Sequence, residues 1–571
     1  MSSTCARLQR ILALGVAAPA LALSACGGGD EARAPEAGAD PPVGGETAAP
    51  WFEELAAERG LDFEHASGAD GRFLMPEIMT TGAALFDADG DGDLDAYLVQ
   101  AGGVDTPRED RPGNELFLNR GDGHFEPAPA GHGADDRGYG MGVATGDYDG
   151  DGDVDLYVSN LTRNALLRND GTGRFEDVTE AANANVPAWS ASAAFLDVDG
   201  DGDLDLFVSN YIEWSTDGEK VCLSPQKART YCSPKSYDRP ARDTLLLNRG
   251  DGTFEDASEA LGLDAAFGNG LGVVCADFDL DGEPEIFVAN DGNPNQYWDR
   301  AEDGQLVDGA LRLGCAVDTQ GRSKAGMGVA AADVDGDGDE DLLVVNLTGE
   351  SDSFYRNDAG QFVDRTPAVG LAVVSRRRTR FGVALRDFDL DGTLDLYHAN
   401  GRVTGPPRAK EGDPFAEENV LLRGLESGRF EEVQPRGGVK SPLEATSRAA
   451  AFGDVDGDGD VDALIHNRDG RAHLLVNRAP AADARWAVLD IVDGNGAPAL
   501  GAAVLVTIDG ATRRFEVRTA DSYCAASSPR IHVALPGGAK LDEVEVHRAD
   551  AASTVVRDLA AGEVHRIVIE R

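Results

Sequence analysis

Basic residues are scarce in this chain. Its 571 residues carry 51 Lys and Arg against 101 Asp and Glu, a formal net charge of −50. That balance excludes a nucleic-acid backbone or an anionic membrane surface as the main partner, since both repel it. Catalytic signatures are missing as well: there is no Gly-x-Ser-x-Gly elbow, no His-Glu-x-x-His and no Cys-x-x-Cys. The nine histidines are scattered, and His466 and His473 read as strand-surface residues, not ligands. No segment beyond Leu23 is apolar enough to cross a membrane. The apolar fraction, 42%, still allows a packed core. Self-repulsion among the acids therefore needs an answer. Either they lie in solvated, disordered tracts, or bound cations neutralise them in place.

The chain opens with Arg7 and Arg10 ahead of an apolar run from Ile11 to Leu23, too short for a bilayer span and of signal-peptide length. Leu23-Ser24-Ala25-Cys26 resembles a bacterial lipobox. The resemblance implies that residues 1–25 are removed and that Cys26 carries lipid. Residue 27 is Gly and not Asp, so the inner-membrane retention signal is absent and the outer membrane or cell surface is the expected location. Residues 26–50 are rich in Gly, Ala, Pro and Glu and read as a disordered tether.

The acids downstream are not scattered. One pattern, Asp-x-Asp-x-Asp-Gly-x-x-Asp, recurs seven times with starts 50 to 80 residues apart. Positions 1, 3, 5 and 9 are acidic in every copy and position 6 is always Gly, a phase that a disordered tract does not hold. Calcium takes about six to eight oxygens, and carboxylates at alternating positions of a tight loop converge on one point. The pattern predicts about seven Ca2+ sites, using side chains at positions 1, 3, 5 and 9 and the carbonyl at position 7. The first loop supplies Asp87, Asp89, Asp91, Asp93 and Asp95, the second Asp147, Asp149, Asp151, Asp153 and Asp155. The third has Asp197, Asp199, Asp201, Asp203 and Asp205, the fourth Asp277, Asp279, Asp281, Glu283 and Glu285. The fifth has Asp333, Asp335, Asp337, Asp339 and Asp341, the sixth Asp387, Asp389, Asp391, Thr393 and Asp395. The seventh has Asp454, Asp456, Asp458, Asp460 and Asp462. An EF-hand is excluded because position 12 is never Glu; Leu98, Val158 and Val208 stand there in the first three copies, within strand-forming runs.

Each repeat reads as four strands. A small apolar strand enters the loop and a second leaves it. A third ends in Leu-Leu-x-Asn or a close variant (Leu166 to Asn169), and a fourth begins Phe-Glu (Phe175, Glu176) after a Gly-rich turn. Four antiparallel strands per repeat make a propeller blade, so the expected fold is all-β, a seven-bladed β-propeller over 51–480. The seventh repeat lacks its Phe-Glu strand, whereas Trp51-Phe52-Glu53-Glu54 offers one. The expectation is that this segment closes the ring and removes two open sheet edges.

These motifs resemble FG-GAP/VCBS repeats, and more closely the cartilage-acidic-protein-like family. Leu74 to Met79 ahead of the first loop and Tyr231-Cys232-Ser233-Pro234 in the third repeat match that family's pattern. Residues 484–571 resemble the ASPIC/UnbV domain through Leu500-Gly501-Ala502, Ser522-Tyr523 and Arg530-Ile531-His532, and alternate as a small β-sandwich or barrel. Where the family has Gly-Leu-Gly and Trp-Pro-x-Gly, this chain has Ala534-Leu535-Pro536 and His547 to Asp550.

Cys222 and Cys232, in an insertion of the third repeat, are expected to form a disulfide in an oxidising compartment. Cys275 and Cys315 are a second candidate pair or two buried thiols, and Cys524 is expected to be buried and inert. Trp189, Trp214 and Trp298 either pack between blades or face a binding surface. Arg376, Arg377, Arg378 and Arg380 form the one basic cluster, a solvated loop or an anion contact. The functional expectation is a calcium-loaded, surface-anchored adhesion or scaffold module for an extracellular protein or glycan, not an enzyme. The alternatives are a polysaccharide-lyase-like enzyme and an assembly or biosynthetic accessory protein.

Overall fold

A computed structural model describes residues 49–224, 227–405, 412–480 and 485–570. The expected export signal and Cys26 lie outside the described residues, as does all but the end of the expected tether. Seven blades of four antiparallel strands share one plan, with strand order following chain order except in blade 7; the blade 1 sheet is extended to six strands by two short strands of the tail. Their first strands are Ala83–Phe86, Gly140–Gly146, Ser190–Leu196, Gly270–Ala276, Gly326–Ala332, Arg380–Arg386 and Ser447–Gly453, for blades 1 to 7. Each packs against the next, and the last against the first, so the innermost strands form a closed ring. Phe52–Glu54 supplies the outermost strand of blade 7, with Phe52 opposite Asn477 and Glu54 opposite Leu475.

Sequence composition follows from this stacking. A strand inside a blade has another blade on each side, so both of its faces are buried. In Asp95–Leu98, Ala96 and Leu98 join the core between blades 7 and 1, while Tyr97 joins the core between blades 1 and 2. Alternating polar positions are therefore absent and the strands read as continuous apolar runs. The inner ring is tight. A Cβ on Gly328 would lie 2.1 Å from the Phe381 carbonyl oxygen of the next blade, so only glycine fits there.

The tail folds as two sheets around Leu489, Ile491, Val504, Val506, Val544 and Ile567. It also does something its strand pattern does not announce: residues 517–529 leave the sandwich and fill the propeller channel. Ala525 and Ala526 pair in parallel with Ala83 and Ala84 of blade 1. Thr519 donates to the Thr145 carbonyl of blade 2 (3.0 Å), and the Cys524 N–H donates to Ser192 Oγ of blade 3 (3.0 Å). Ala520 packs with Cys275 of blade 4. Ser522 exchanges backbone hydrogen bonds with Val329 of blade 5 and accepts from the Val383 N–H of blade 6. Ser527 and Ser528 bond Phe452 of blade 7. One peptide thus touches all seven blades. Beyond its tip the channel meets the short helix Pro76–Met79, to which Tyr523 donates a hydrogen bond at the Met79 carbonyl (2.8 Å).

Cys222 and Cys232 are bonded, closing the hairpin Cys222–Leu223 with Arg229–Thr230. Cys275 and Cys315 are not. Cys275 faces the core between blades 3 and 4, Cys315 the core between blades 4 and 5, on opposite sides of one sheet. Cys524 is buried in the channel, and burial pushes its thiol up to about 12. His466, expected on a strand surface, is buried against Phe63 and His65 because blade 7 is covered there by the N-terminal segment. Trp189 and Trp298 are buried, and Trp214 is partly so. The basic cluster divides: buried Arg380 pairs with Asp352 at 2.6 Å and half-buried Arg378 with Glu418 at 2.7 Å, while Arg376 and Arg377 stay exposed.

The channel segment should carry measurable stability. Tyr523→Phe is expected to cost about 1–2 kcal/mol through the unpaired Met79 carbonyl, and Tyr523→Ala about 3–5 kcal/mol, read from urea unfolding. A loss under about 0.5 kcal/mol for the alanine variant would show that the plug is dispensable.

Candidate metal centres

All seven acidic loops join the first and second strands of their blades, which places them together at the end of the propeller where the tail docks. Six of them share one local geometry, and loop 4 departs from it at Glu285. Position 1 accepts two loop N–H groups: in loop 1, Gly90 to Asp87 Oδ1 (2.8 Å) and Gly92 to Asp87 Oδ2 (3.0 Å). Position 6 has a left-handed backbone, φ +94° at Gly92 and +100° at Gly152, which explains the invariant glycine. Position 5 accepts the N–H of position 7, as Asp91 does from Asp93 (3.0 Å).

Position 9 is a clamp. Asp95 Oδ2 accepts the N–H of Ala88 (2.9 Å) and Oδ1 accepts the N–H of Asn119 (2.7 Å), at the end of the third strand. The same pair of bonds holds Asp155, Asp205, Asp341, Asp395 and Asp462. The asparagine then reaches outward. Asn119 Nδ2 donates to the Leu94 carbonyl in its own loop and to Val455 in loop 7. Asn169, Asn248, Asn357 and Asn477 likewise reach Ala88, Tyr148, Phe278 and Phe388, each in the loop of the preceding blade. The Leu-Leu-x-Asn ending is thus a staple between blades, a role its sequence pattern alone did not reveal.

Positions 1, 3 and 9 converge. Carboxylate oxygens of Asp87, Asp89 and Asp95 lie within 4.8 Å of one another, as do those of the second, third and fourth loops, and of Asp333, Asp335 and Asp337 in the fifth. At position 3, one oxygen each of Asp89, Asp149, Asp389 and Asp456 is buried with no hydrogen-bond donor. A buried, unsatisfied carboxylate oxygen beside other carboxylates is costly unless a cation meets it. The oxygen-only donor set suits a hard divalent cation.

The loops are not equivalent. In blades 1 to 3 an arginine at the end of the third strand pairs with the fourth strand: Arg120 with Glu126, Arg168 with Glu176 (2.8 Å), Arg249 with Glu255 (2.6 Å). In blades 5 to 7 it turns onto the loop: Arg356 onto Asp335 and Asp337, Arg423 onto Asp389 and Asp391, Arg478 onto Asp456 and Asp458.

Comparison with known proteins agrees with this geometry. The model for an FG-GAP-like repeat matches residues 87–158, 148–208, 236–288, 277–344 and 333–398, and the ASPIC and UnbV model matches 492–571. The chain belongs to the FG-GAP-repeat proteins that end in an ASPIC/UnbV domain. Its seventh FG-GAP loop lies beyond the matched segments and is placed by the structure. Cartilage acidic protein 1 of Mus musculus is 28% identical over 220 residues, 37% of this chain and 31% of that protein. The Xenopus tropicalis protein is 25% identical over 239 residues, 40% of this chain and 26% of the relative. The match therefore spans about a third or less of these relatives. Among solved structures, an Agrocybe aegerita lectin that recognises non-reducing terminal N-acetylglucosamine aligns with TM-score 0.36 at 16% identity, over 69% of this chain and 87% of its own. Rhamnogalacturonan lyase YesW aligns at 0.29 and 13%, over 76% and 91%. Scores this low carry no functional argument.

Without metal, burial pushes the position-nine acids up, to about 8 for Asp95 and Asp341 and about 9 for Asp155 and Glu285, with neighbouring carboxylates adding to the rise. The folded state then holds protons that an unfolded chain releases near pH 4, so stability falls as pH rises from about 4 to 9. In excess chelator the melting temperature should decline between pH 5 and pH 8, and saturating divalent cation should flatten that slope. A melting temperature that rises with pH in chelator would contradict the assignment.

Proposed function

We propose that this protein is a calcium-stabilised, lipid-anchored propeller at the cell surface that binds an extracellular protein or glycan and does no catalysis. The observation that carries the calcium reading is the buried, donor-less oxygen at position 3 in four of the seven loops, those of Asp89, Asp149, Asp389 and Asp456. Cations in these loops would offset the acidic surplus locally and stiffen the end of the propeller on which the ASPIC/UnbV domain sits. Side-chain and carbonyl oxygens of the residues predicted from the repeat hold the ion; its chemistry there is charge neutralisation.

The size of the effect can be bounded. With a dissociation constant of about 10⁻⁴ M and about 10⁻³ M free calcium, one site contributes about 1.4 kcal/mol. Seven such sites approach the whole stability of a domain. Calcium titration of chelator-treated protein should raise the melting temperature by about 10 °C, given the unfolding entropy of a chain this long, and saturate near seven ions per chain. An unchanged melt would end the calcium reading.

Surface anchoring rests on the residues around Cys26. Metabolic labelling with an alkyne fatty acid should mark the wild-type protein, and Cys26→Ser should abolish the label and release the protein from the membrane fraction. Equal labelling of both would remove the anchor.

A further inference from the structure

The acids of the seven loops differ in what already stands on them. Among the described residues, none of the acids from Asp87 to Asp95, Asp147 to Asp155 or Asp197 to Asp205 is in an ion pair. In loops 5 to 7 the carboxylates at positions 3 and 5 share one arginine from the end of their blade's third strand. Arg356 Nη2 meets Oδ2 of Asp335 (2.6 Å) and of Asp337 (2.8 Å). Arg423 places Nε on Asp389 Oδ2 (3.0 Å) and Nη2 on Asp391 Oδ2 (2.6 Å). Arg478 places Nη2 on Asp456 Oδ2 and Nη1 on Asp458 Oδ2, both at 3.3 Å, and Arg59 lies 3.7 Å from the same Asp456 oxygen. Loop 4 meets an arginine at position 1, where Arg514 of the tail lies 3.2 Å from Asp277. Its positions 3 and 5, Asp279 and Asp281, carry none among the described residues.

Strand register accounts for part of the split. Blade 2 sets Glu176 opposite Arg168, and the two pair at 2.8 Å. Blade 5 sets Val363 opposite Arg356, so the guanidinium has no acid across from it and turns to the loop. Blade 6 offers Glu431 opposite Arg423, and the arginine takes the loop all the same.

The contacts change what an entering cation finds. In loops 1 to 3 the position-5 acids Asp91, Asp151 and Asp201 accept the N–H of position 7 through Oδ1, and no arginine meets Oδ2. In loops 5 to 7 that N–H takes Oδ1 of Asp337, Asp391 and Asp458, and the arginine takes Oδ2. A divalent cation must share these oxygens with a guanidinium or push it out, against the repulsion of like charges. The three arginine side chains are 39% to 45% exposed, so each can swing into water, and the screened pair it leaves is modest in strength. Position 3 still offers the buried Oδ1 of Asp389 and Asp456. Loading is weakened, not abolished.

We propose that loops 1 to 4 form a tight class of divalent-cation site and loops 5 to 7 a weaker one, in which Arg356, Arg423 and Arg478 serve as built-in counter-cations. This rests on the calcium reading of the loops and adds the order in which they load. When calcium is scarce, blades 1 to 4 depend on the ion, while blades 5 to 7 neutralise their acids with their own arginines.

The test is calorimetric titration of calcium into the full chain stripped of metal. Two phases are expected, about four ions and then about three, with dissociation constants about ten-fold apart, the scale of two partly exposed ion pairs. Arg423→Gln should move one ion from the second phase to the first. The triple variant Arg356→Gln, Arg423→Gln and Arg478→Gln should merge the phases. Removing the same charge from blades 1 to 3 with Arg120→Gln, Arg168→Gln and Arg249→Gln should leave them apart, which separates local contact from net charge. One phase of about seven ions in the wild type, a second phase unmoved by Arg423→Gln, or merging by the second triple variant would each overturn the proposal. No calcium bound by the wild type would overturn the calcium reading along with it, so the two failures are distinguishable.

Discussion

The carboxylate at position 9 of each loop is the interaction on which the rest depends. It is buried where a charge is expensive, and in six of the seven loops both oxygens take backbone N–H groups, one from the loop and one from the end of the third strand. In loop 4 the longer Glu285 accepts from Phe278 and from the Tyr297 hydroxyl instead. This ties loop to blade. In five blades the neighbouring asparagine amide then ties blade to blade, and in blade 4 Arg300 reaches the Val198 carbonyl of the preceding loop in its place. Blade 6 has Gly424, whose N–H still meets Asp395. The ring is therefore held at its loop end by polar contacts as well as by the apolar faces between blades.

That arrangement concentrates acid in one plane and leaves a charge problem, which the protein meets in two ways. Oxygens at positions 1, 3 and 9 converge into donor sets suited to a divalent cation. In blades 5 to 7 an arginine leans onto the loop and supplies a cation from the chain itself. The tail adds more: Arg514 reaches Asp277, and Arg518 reaches Glu340. The ASPIC/UnbV domain is thus a structural partner of the acidic face as well as a plug for the channel.

Much of this was legible in the residue pattern, for a physical reason. A cation loop needs particular side chains at particular offsets and a glycine at its sharp turn, so its signature survives in one dimension. Blade number followed from loop number, and the missing fourth strand of the last repeat pointed to Phe52–Glu54. Other features were opaque. Cys275 and Cys315 looked pairable, but Cys275 points from its strand into the core between blades 3 and 4, whereas Cys315, just after the helical turn Ala310–Leu313, lies in the core between blades 4 and 5. The basic run near Arg378 read as a solvated loop or an anion contact; Arg376 and Arg377 are exposed, whereas Arg378 and Arg380 meet Glu418 and Asp352 from other segments of the fold.

The sequence alone determined the repeat, its count, the acid geometry of each loop and the all-β class, because those depend on neighbours a few residues apart. Only the tertiary structure decided that Ser522 and Tyr523 sit inside the channel and that Asn169 staples blade 2 to blade 1. Those contacts join residues up to about 440 positions apart, as Tyr523 and Met79 are. Nothing local in either segment encodes the other; the closed ring brings them together.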